Sequence, residues 1–300
     1  MKVIIIGAGS DLGVHVDGGH LAPIQLMNDL KSFYSGEEIS FIQENTIIKS
    51  RNLSDRRKNE YEVDKYNNEL YKIVLQKIKE GYVPITIGGD HSISIPTALA
   101  SAKENNNIGL IYFGAQPDYN TFSTTMTGNI EGLANAAINN YKVPELNHYH
   151  DGNIVQTSKT IIVGARNIAE KEKENIKYSG VTLFTTEDIK QKGISSVIEE
   201  AFRIAEERTK GVHITFNVNI IDPDIAPGVS SPEFDGITEE DAMEINKVIL
   251  QHAKQILSYD IVGFNPLRDM NRKTEQITLN ILAQIIKGIE NRDKYLNKKY

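Results

Sequence analysis

Residues 83–92 read Val83-Pro-Ile-Thr-Ile87-Gly-Gly-Asp-His-Ser92, and this segment decides the fold. A short run of apolar and β-branched residues is followed at once by two glycines, an acid and a histidine. Strands that are apolar on both faces are typical of a parallel sheet covered by helices. A polar loop directly after such a strand lies at its carboxyl end, where open parallel sheets bind ligands. The segment therefore predicts a buried strand that leads into a functional loop.

The same alternation continues along the chain, because short apolar runs are separated by longer stretches of helical period. The predicted strands are Val3–Ile6, Val83–Ile87, Gly109–Phe113, Thr160–Val163, Val181–Phe184, Val212–Phe216 and Tyr259–Phe264. The predicted helices are Tyr61–Glu80, Ser94–Glu104, Ala169–Tyr178, Glu187–Lys210, Thr238–Leu257 and Thr274–Asn291. Acidic residues follow Thr186 and Thr238, so we predict that each hydroxyl caps a helix. No linker or repeat divides the sequence, and residues 1–300 are predicted to form one α/β domain.

The composition is that of a globular protein and excludes several functions. Of the 300 residues, 40 % are hydrophobic and 24 % are charged. A net charge of −7 argues against nucleic-acid or anionic-membrane binding, which would require a basic face. The absence of cysteine excludes disulfides and thiolate chemistry. Apolar runs are too short for a signal peptide or a membrane span, so we expect a cytoplasmic protein. We interpret the basic tail of Lys294, Lys298 and Lys299 as a solvated helix end.

Three predicted strand-end loops are rich in Gly, Asp, Asn and His: Gly88–Ser92, Gly114–Glu131 and Asn217–Gly236. In the second loop, Gly114, Gln116 and Asp118 alternate, so they share one face of an extended chain. Such a face carries metal ligands in binuclear hydrolases. Glycine offers no ligand, however, and a neutral amide is a poor ligand for a transition metal.

The Gly88–Ser92 segment resembles a signature of the ureohydrolases, the family of arginase, agmatinase and formiminoglutamase. Further matches occur in the same order at Tyr112–Gly132, Val163–Arg166, Thr215–Pro223, Ala226–Gly228 and Asp260–Pro266. The resemblance implies a three-layer α/β/α fold with a parallel sheet of about eight strands, and assembly into trimers or hexamers. It also implies two Mn²⁺ ions that share a bridging hydroxide, which attacks a guanidinium or formimino carbon.

Most of the residues that this reaction needs are replaced. Of the six ligand positions that the resemblance implies, two keep the family residue, namely His91 and Asp118. The other four positions hold Gly114, Gln116, Asn217 and Asn219. One carboxylate would be left to offset the charge of two close dications, so their mutual repulsion argues against a binuclear cluster.

The replacements extend to the residues that would handle the substrate. Glu131 stands where the family has a proton-shuttle histidine, and Gly263 where it has a glutamate that pairs with the guanidinium. An acidic pair that helps to hold the substrate amino group in arginases is replaced by Asn167 and Ala169. The positions that resemble the arginase residues binding an amino-acid carboxylate are retained as Asn120, Thr127 and Asn129.

We therefore interpret the chain as a catalytically degenerate ureohydrolase without catalytic residues or a cofactor. It would bind an amino-acid or guanidino ligand, or regulate or scaffold a partner, as a homo-oligomer that contacts neither nucleic acid nor membrane. The alternative is an active hydrolase of a guanidino or formimino C–N bond. Its site would be rebuilt or hold a single metal, with Mn²⁺ bound through the residual ligands His91 and Asp118.

Four further patterns have both a functional and a structural interpretation. His91 and Asp118 could hold one weakly bound hard cation with amide oxygens of Asn217 or Asn219, although a hydrogen-bonded histidine is favoured. The pair His148 and His150 could capture a metal but falls in a predicted exposed loop. The late-loop acids are interpreted as turn residues, and Glu131 as a solvated or ion-paired carboxylate. These acids are Asp222, Asp224, Glu233 and Asp235.

The loop Gly7–Gly13 resembles the glycine fingerprint of dinucleotide-binding folds, in which a helix must begin within the loop. Asp17-Gly18-Gly19 and Pro23 interrupt any such helix, so a nucleotide site is disfavoured. The neighbouring Asp11, His15, Asp17 and His20 are expected in the same strand-end loop.

Overall fold

The computed structural model of the protein describes residues 2–32, 34–42 and 55–292. Its centre is an eight-stranded sheet in which every neighbouring pair is parallel, in the order β2-β1-β3-β8-β7-β4-β5-β6. The predicted parallel sheet of about eight strands is confirmed. The strands are β1 (Lys2–Gly9), β2 (Glu37–Ile42), β3 (Tyr82–Gly88), β4 (Gly109–Phe113), β5 (Thr160–Ala165), β6 (Thr182–Thr185), β7 (Val212–Asn217) and β8 (Ile256–Val262).

Helices cover both faces of the sheet and complete the predicted three-layer α/β/α architecture. Residues of α1, α6, α7, α8 and α9 join one apolar core, and residues of α2, α3, α4 and α5 join the other. The helices are α1 (Ala22–Leu30), α2 (Glu60–Lys79), α3 (Ser94–Asn105), α4 (Ala134–Ile138), α5 (Glu170–Ser179), α6 (Thr186–Lys192), α7 (Ile194–Glu206), α8 (Glu239–Gln251) and α9 (Lys273–Glu290). No helix in the described part of the chain is long and apolar enough to cross a membrane.

Several predicted boundaries were wrong for local reasons. The predicted helix Glu187–Lys210 is two helices, because Gly193 adopts a φ of 82° between α6 and α7. The first of them is capped by Thr185 in a capping box with Asp188, and not by the predicted Thr186. The predicted helix Thr238–Leu257 ends at Gln251, although its predicted Thr238 cap is confirmed.

Three elements were missed altogether. Strand β2 alternates polar and apolar residues at an edge of the sheet, so it lacks the apolar run of the inner strands. Helices α1 and α4 are short, with nine and five residues, and give little periodic signal. The basic tail of Lys294, Lys298 and Lys299 lies outside the described residues.

The strand order brings four polar loops together. Strands β3, β8, β7 and β4 are consecutive neighbours at the centre of the sheet, and all of them point the same way. Their carboxyl ends therefore open into one crevice, where open parallel sheets bind ligands. The predicted functional loops after β3, β4 and β7 all begin at this crevice.

Candidate functional site

A cavity of about 480 Å³ opens at these strand ends. It brings together most of the positions that the sequence singled out, although some of them, such as His15 and Asn219, lie far apart along the chain. The cavity is lined by His15, Gln116, Asp118, Asn120, Thr127, Asn129, Glu131, Asn167, Ala169, Glu172, Asn217, Asn219, Ser231 and Arg268, among others. His91 lies against the wall of the cavity, in contact with Asp118 and Asn217.

His91 is buried and both of its ring nitrogens face protein atoms. Its Nδ1 lies 3.1 Å from Asp118 Oδ2 and 3.2 Å from Asn217 Nδ2, and its Nε2 lies 3.0 Å from Thr215 Oγ1. The ring also stacks on Tyr112, whose hydroxyl donates to Asp118 Oδ2 at 2.7 Å. A metal ion that approached either nitrogen would have to replace one of these contacts.

The amides at the replaced ligand positions bind one another. Asn219 Nδ2 donates to Gln116 Oε1 at 2.7 Å, while Asn219 Oδ1 accepts from the backbone N–H of Ala115 at 3.0 Å. Asn217 Oδ1 accepts from the backbone N–H of Asn219, also at 3.0 Å. These hydrogen bonds occupy the amide oxygens that a cation would need, so the predicted alternative of a weak cation site requires rearrangement.

The two glycines at family positions differ in the room around them. A Cβ on Gly114 would have its nearest neighbour, Gln116 O, at 3.3 Å, so a Cβ fits there with a small adjustment. A Cβ on Gly263 would collide with Asn217 Oδ1, and the φ of 86° at Gly263 is strained for any other residue. Asn217 thus fills the space that a side chain at position 263 would need.

The three retained positions that resemble a carboxylate-binding set lie on one loop. Thr127 Oγ1 accepts from the backbone N–H of Asn129 at 3.2 Å, and Asn129 Nδ2 lies 3.0 Å from His15 Nδ1. Asn120 Oδ1 accepts from Thr124 Oγ1 at 3.0 Å. Asn129 is 5 % exposed, and its Oδ1 has no hydrogen-bond donor among the described residues.

This loop is fixed from outside by residues that the sequence did not point to. The ammonium group of the buried Lys58 donates to the carbonyl of Thr127. The guanidinium of Arg57 lies 3.8 Å above the ring of Phe122. In the sequence, nothing distinguishes these two basic residues of a charged stretch from residues on a solvated surface.

The pKa values of two acids in the cavity, Glu131 and Glu172, are raised. Burial, with the nearby carboxylates of Asp90 and Asp118, holds the pKa of Glu131 well above its usual range. Burial raises the pKa of Glu172 to about 7. Glu131 Oε1 accepts from Ser231 Oγ at 2.9 Å and has no cationic partner in the described chain. The loop after β4 returns the half-buried side chain of Glu131 to the crevice, where no described cation forms the ion pair that was one of the two expectations.

Glu172 was missed by the sequence reasoning. It is buried at the start of α5, and its Oε1 accepts from the backbone N–H of Tyr119 at 2.8 Å. Tyr119 directly follows Asp118, whose φ of 50° is uncommon for a residue other than glycine. Glu172 therefore stabilises the turn that places the Asp118 carboxylate in the cavity. One glutamate in a predicted amphipathic helix gives no sign of such a contact.

The donor set present does not fit two manganese ions. Among residues 2–32, 34–42 and 55–292, no group of three or more His, Asp or Glu side chains is close enough to hold a metal ion. The residual pair of His91 and Asp118 supplies one imidazole and one carboxylate, which already contact each other. Transition metals favour imidazole and carboxylate over neutral amides, and a binuclear site needs several of them.

The other candidate patterns have structural explanations. His148 contacts Asp64 and His150 contacts the Tyr71 hydroxyl, so the two histidines do not converge. The carboxylate of Asp222 accepts from the backbone N–H groups of Asp224 and Gly236, as the turn interpretation predicts.

The glycine-rich first loop is also explained by packing. No helix begins between Gly7 and Gly13, and the next α-helix starts at Ala22. A Cβ on Gly13 would collide with Asp90, whose carboxylate accepts from the Gly13 N–H at 2.9 Å. In the same loop, Asp11 Oδ2 accepts from the Gly18 N–H and lies 2.7 Å from His20 Nδ1. These contacts indicate that the glycines allow the loop to pack closely.

Comparison with known proteins adds the decisive observation. A sequence model described as Arginase family matches residues 1–287. The chain belongs to the arginase family. Among its relatives, the arginase of Bacillus caldovelox is 30 % identical over 296 residues, which cover 95 % of this chain and 98 % of the relative.

Solved arginase structures agree over nearly the whole chain. The Bacillus caldovelox arginase superposes with a TM-score of 0.87 at 28 % identity, covering 95 % of this chain and 98 % of that one. The Entamoeba histolytica arginase in complex with L-ornithine superposes with a TM-score of 0.85 at 26 % identity, covering 95 % and 97 %. The arginase-family fold is thus retained in full, while the side chains at its strand ends differ from the predicted ligand set.

Proposed function

We propose that this arginase-family protein is a pseudoenzyme that binds a small amino-acid or guanidino ligand without hydrolysing it. The observation that carries the proposal is the hydrogen bond of 2.7 Å between Asn219 and Gln116, at two positions where the resemblance implies metal ligands. Amides that bind each other do not supply the charge that two manganese ions need. Without the metals, the described lining of the cavity holds no Lewis acid that would lower the pKa of a water and make it a nucleophile.

Ligand binding is supported by the cavity that remains. It keeps Asn120, Thr127 and Asn129 on one wall, and its volume of about 480 Å³ suits a small molecule. A related structure is that of an arginase in complex with L-ornithine, which makes an amino acid a reasonable first ligand to test. The ligand would serve a regulatory role, or stabilise the chain for contact with a partner.

The alternative is an active ureohydrolase with a rebuilt or single-metal site. Relatives named arginase at about 30 % identity favour this alternative, as does the contact of 3.1 Å between His91 and Asp118. The potential metal ligands argue against an active hydrolase, because the described chain offers one carboxylate, that of Asp118, beside the His91 imidazole. Assembly into a trimer or hexamer is proposed for either case, and a native mass measurement tests it.

The direct test measures urea released from L-arginine and agmatine, and ammonia released from a formimino substrate, after incubation with Mn²⁺. The Bacillus caldovelox arginase serves as the positive control for urea release. We expect no product above background, together with a thermal shift of the folded protein on addition of an amino acid. Manganese-dependent product release by the wild-type chain would instead establish the active hydrolase.

A further inference from the structure

A second pocket, of about 800 Å³, lies away from the cavity at the strand ends. It is bounded by the carboxyl end of α8, the turn that follows it, and side chains of α7, α9 and the segment after α9. That turn leads into the amino end of β8, so the pocket lies at the opposite edge of the sheet from the crevice. We call it the helix-end pocket, with Leu250, Gln255 and Arg292 among its lining residues. In the described chain it shares no lining residue with the cavity.

Arg292 is the residue of this pocket that points to a ligand. It follows the end of α9, is 9 % exposed, and lines the pocket. Its guanidinium has no ion-pair or hydrogen-bond partner among the described residues. A guanidinium is always charged and has five N–H donors, so its burial without an acceptor is costly. The partner that would offset this cost is an anion.

Helix ends explain why basic residues gather here, but they do not supply the partner of Arg292. The carboxyl ends of α7, α8 and α9 carry partial negative charge, which stabilises nearby cations. Two of the basic side chains are already paired, because Lys247 lies 3.0 Å from Glu244 and His252 lies between two glutamates. In the described chain, Arg292 donates to none of the carbonyls at these helix ends.

The rest of the wall indicates what the remainder of the ligand is like. Met243 and Leu250 are partly buried, Ala253 is buried, and all three line the pocket. Glu206 is the one acid in the described lining, and its carboxylate already contacts a histidine. Together with the exposed Lys254, the lining holds three Lys or Arg side chains against that one acid, although the whole chain has a net charge of −7. This wall suits an anion with an apolar body.

We propose that the helix-end pocket binds an organic acid, whose carboxylate pairs with Arg292 and whose hydrocarbon body lies against Met243, Leu250 and Ala253. A planar guanidinium binds a carboxylate through two parallel N–H···O bonds. Because one buried positive charge is neutralised by one negative charge, a carboxylate matches Arg292 better than a doubly charged phosphate ester. Pockets of this size hold small organic molecules. The site is separate from the strand-end cavity, and its existence does not depend on whether the chain hydrolyses L-arginine.

Three compounds separate the contributions of the charge and the hydrocarbon body. Octanoate has both, octanamide has the same body without the charge, and acetate has the charge with almost no body. Each is titrated into the full chain and followed by calorimetry. We expect octanoate to bind at least about tenfold more tightly than either of the other two. Equal affinity for octanoate and octanamide would overturn the proposal. So would the absence of octanoate binding at about 10 mM, the result expected if a second copy of the chain filled the pocket.

Substitution of Arg292 tests the assigned partner. Arg292→Gln should weaken octanoate at least about tenfold while leaving octanamide unchanged, which also shows that the pocket is intact. Arg292→Lys keeps the charge but loses the planar fork, so it should have a smaller effect. Lys254→Gln should weaken octanoate by less than about threefold, since Lys254 is exposed. The control is Arg56→Gln, at an exposed arginine before α2, and it should change nothing.

Two outcomes with the variants would contradict the site. Unaltered octanoate binding by Arg292→Gln would show that the guanidinium does not hold the carboxylate. A loss of octanoate affinity on Arg268→Gln, with none on Arg292→Gln, would place the acid in the strand-end cavity. If Arg292→Gln does not fold, the comparison of octanoate with octanamide on the wild-type chain still decides the proposal. Manganese-dependent release of urea would overturn the pseudoenzyme proposal and leave this one standing.

Discussion

The side-chain amide of Asn217 occupies the space in which a Cβ on residue 263 would lie, so Gly263 and Asn217 are structurally coupled. Asn217 is held there by the backbone N–H of Asn219 and by contact with His91. The resemblance implies an acid at each position, a metal ligand at 217 and a partner of the substrate guanidinium at 263. Here the absence of a side chain at one position permits the conformation of the other, so the two replacements form one rearranged unit.

Gly263→Ala should destabilise the protein by on the order of 2–3 kcal/mol, because it adds both a collision with Asn217 and a strained φ of 86°. Equilibrium unfolding in urea measures the change. Gly132→Ala is the matched control, since a Cβ there meets nothing within 4 Å, and it should change stability by less than about 0.5 kcal/mol.

The coupling itself can be measured with Asn217→Ala. Combined with Gly263→Ala, it removes the amide that the new Cβ would strike. The double variant should then be more stable than the sum of the two single changes predicts, by about 1 kcal/mol. Strict additivity would show that the two residues do not compete for space.

Four reversions test whether the strand ends keep the geometry of a metal site. Gly114→Asp, Gln116→His, Asn217→Asp and Asn219→Asp together should give a chain that retains manganese through gel filtration, because they restore carboxylate and imidazole donors and a Cβ at position 114 fits with a small adjustment. The control carries only the Asn217→Asp and Asn219→Asp changes and should hold less metal. If the fourfold variant retained none, the proposed alignment of these positions with metal ligands would be wrong.

Adding Gly263→Glu to that set is expected to fail without a further change near Asn217. Together with Glu131→His, it completes a sixfold variant that restores the residues implied by the resemblance at these positions. Asn217→Asp keeps the shape of the side chain at position 217, so a side chain at position 263 still collides with it, and the sixfold variant should unfold at a lower urea concentration than the fourfold one. A sixfold variant that is as stable as the fourfold variant would mean that the side chain at position 217 moves aside at little cost.

The raised pKa of Glu172 leads us to expect that the free energy of unfolding falls between about pH 4.5 and pH 7. Its pKa is raised from 4.5 to about 7 by burial, so the unfolded chain ionises first and the folded state loses stability across that window. Glu172→Gln removes this term while keeping an acceptor for the Tyr119 N–H. Relative to wild type, the variant should gain up to about 3 kcal/mol between pH 4 and pH 8. The free energy of unfolding at several pH values measures it.

A suitable control lies on the same helix. Glu170 has a side chain that is 81 % exposed, so Glu170→Gln should leave the pH dependence of stability unchanged. If Glu172→Gln followed the wild-type pH profile in parallel, the pKa of Glu172 would be the same in the folded and unfolded states and the assigned burial effect would be wrong.

His252 predicts a pH dependence that originates far from the cavity. It caps the end of α8, with Nδ1 2.8 Å from Glu206 and Nε2 3.1 Å from Glu199. Burial lowers the pKa of His252, but the hydrogen bonds to both glutamates outweigh it, and the net pKa is raised. Its stabilisation is therefore full below about pH 6.5 and is lost as the pH rises through the folded-state pKa.

His252→Gln should destabilise the protein at pH 6 by on the order of 1 kcal/mol, and by less at pH 9. Thermal unfolding at the two pH values measures the difference. The exposed His148, with a side-chain exposure of 57 %, provides a control in His148→Gln, for which little change is expected. A larger effect of His252→Gln at pH 9 than at pH 6 would reverse the assigned sign.

The sequence predicted the fold where burial on both faces produces long apolar runs. Strands such as β4 and β7, and the polar loops that follow them, were located from this signal alone. Strand β2 was missed because an edge strand needs one apolar face, and its alternation of Glu38 and Ser40 with Ile39 and Phe41 does not give an apolar run. The break at Gly193 was missed because a single glycine is compatible with a continuous helix until its φ is known.

The candidate site was predictable only as a set of positions. Sequence identified Gly114, Gln116, Asn217 and Asn219 as replacements, but the hydrogen bonds between their amides depend on side-chain conformations that no spacing encodes. Glu172 and Lys58 act through backbone groups of distant loops, and such contacts leave no motif. Whether a replaced position is empty or filled, as for Gly114 and Gly263, likewise required the three-dimensional arrangement.

The metal content of the purified protein shows whether the chain holds a binuclear manganese site. The wild-type protein is incubated with excess Mn²⁺, freed of unbound metal by gel filtration, and analysed by inductively coupled plasma mass spectrometry. We expect well below one manganese ion per chain. Two tightly bound manganese ions per chain, with urea released from L-arginine in the same preparation, would contradict it.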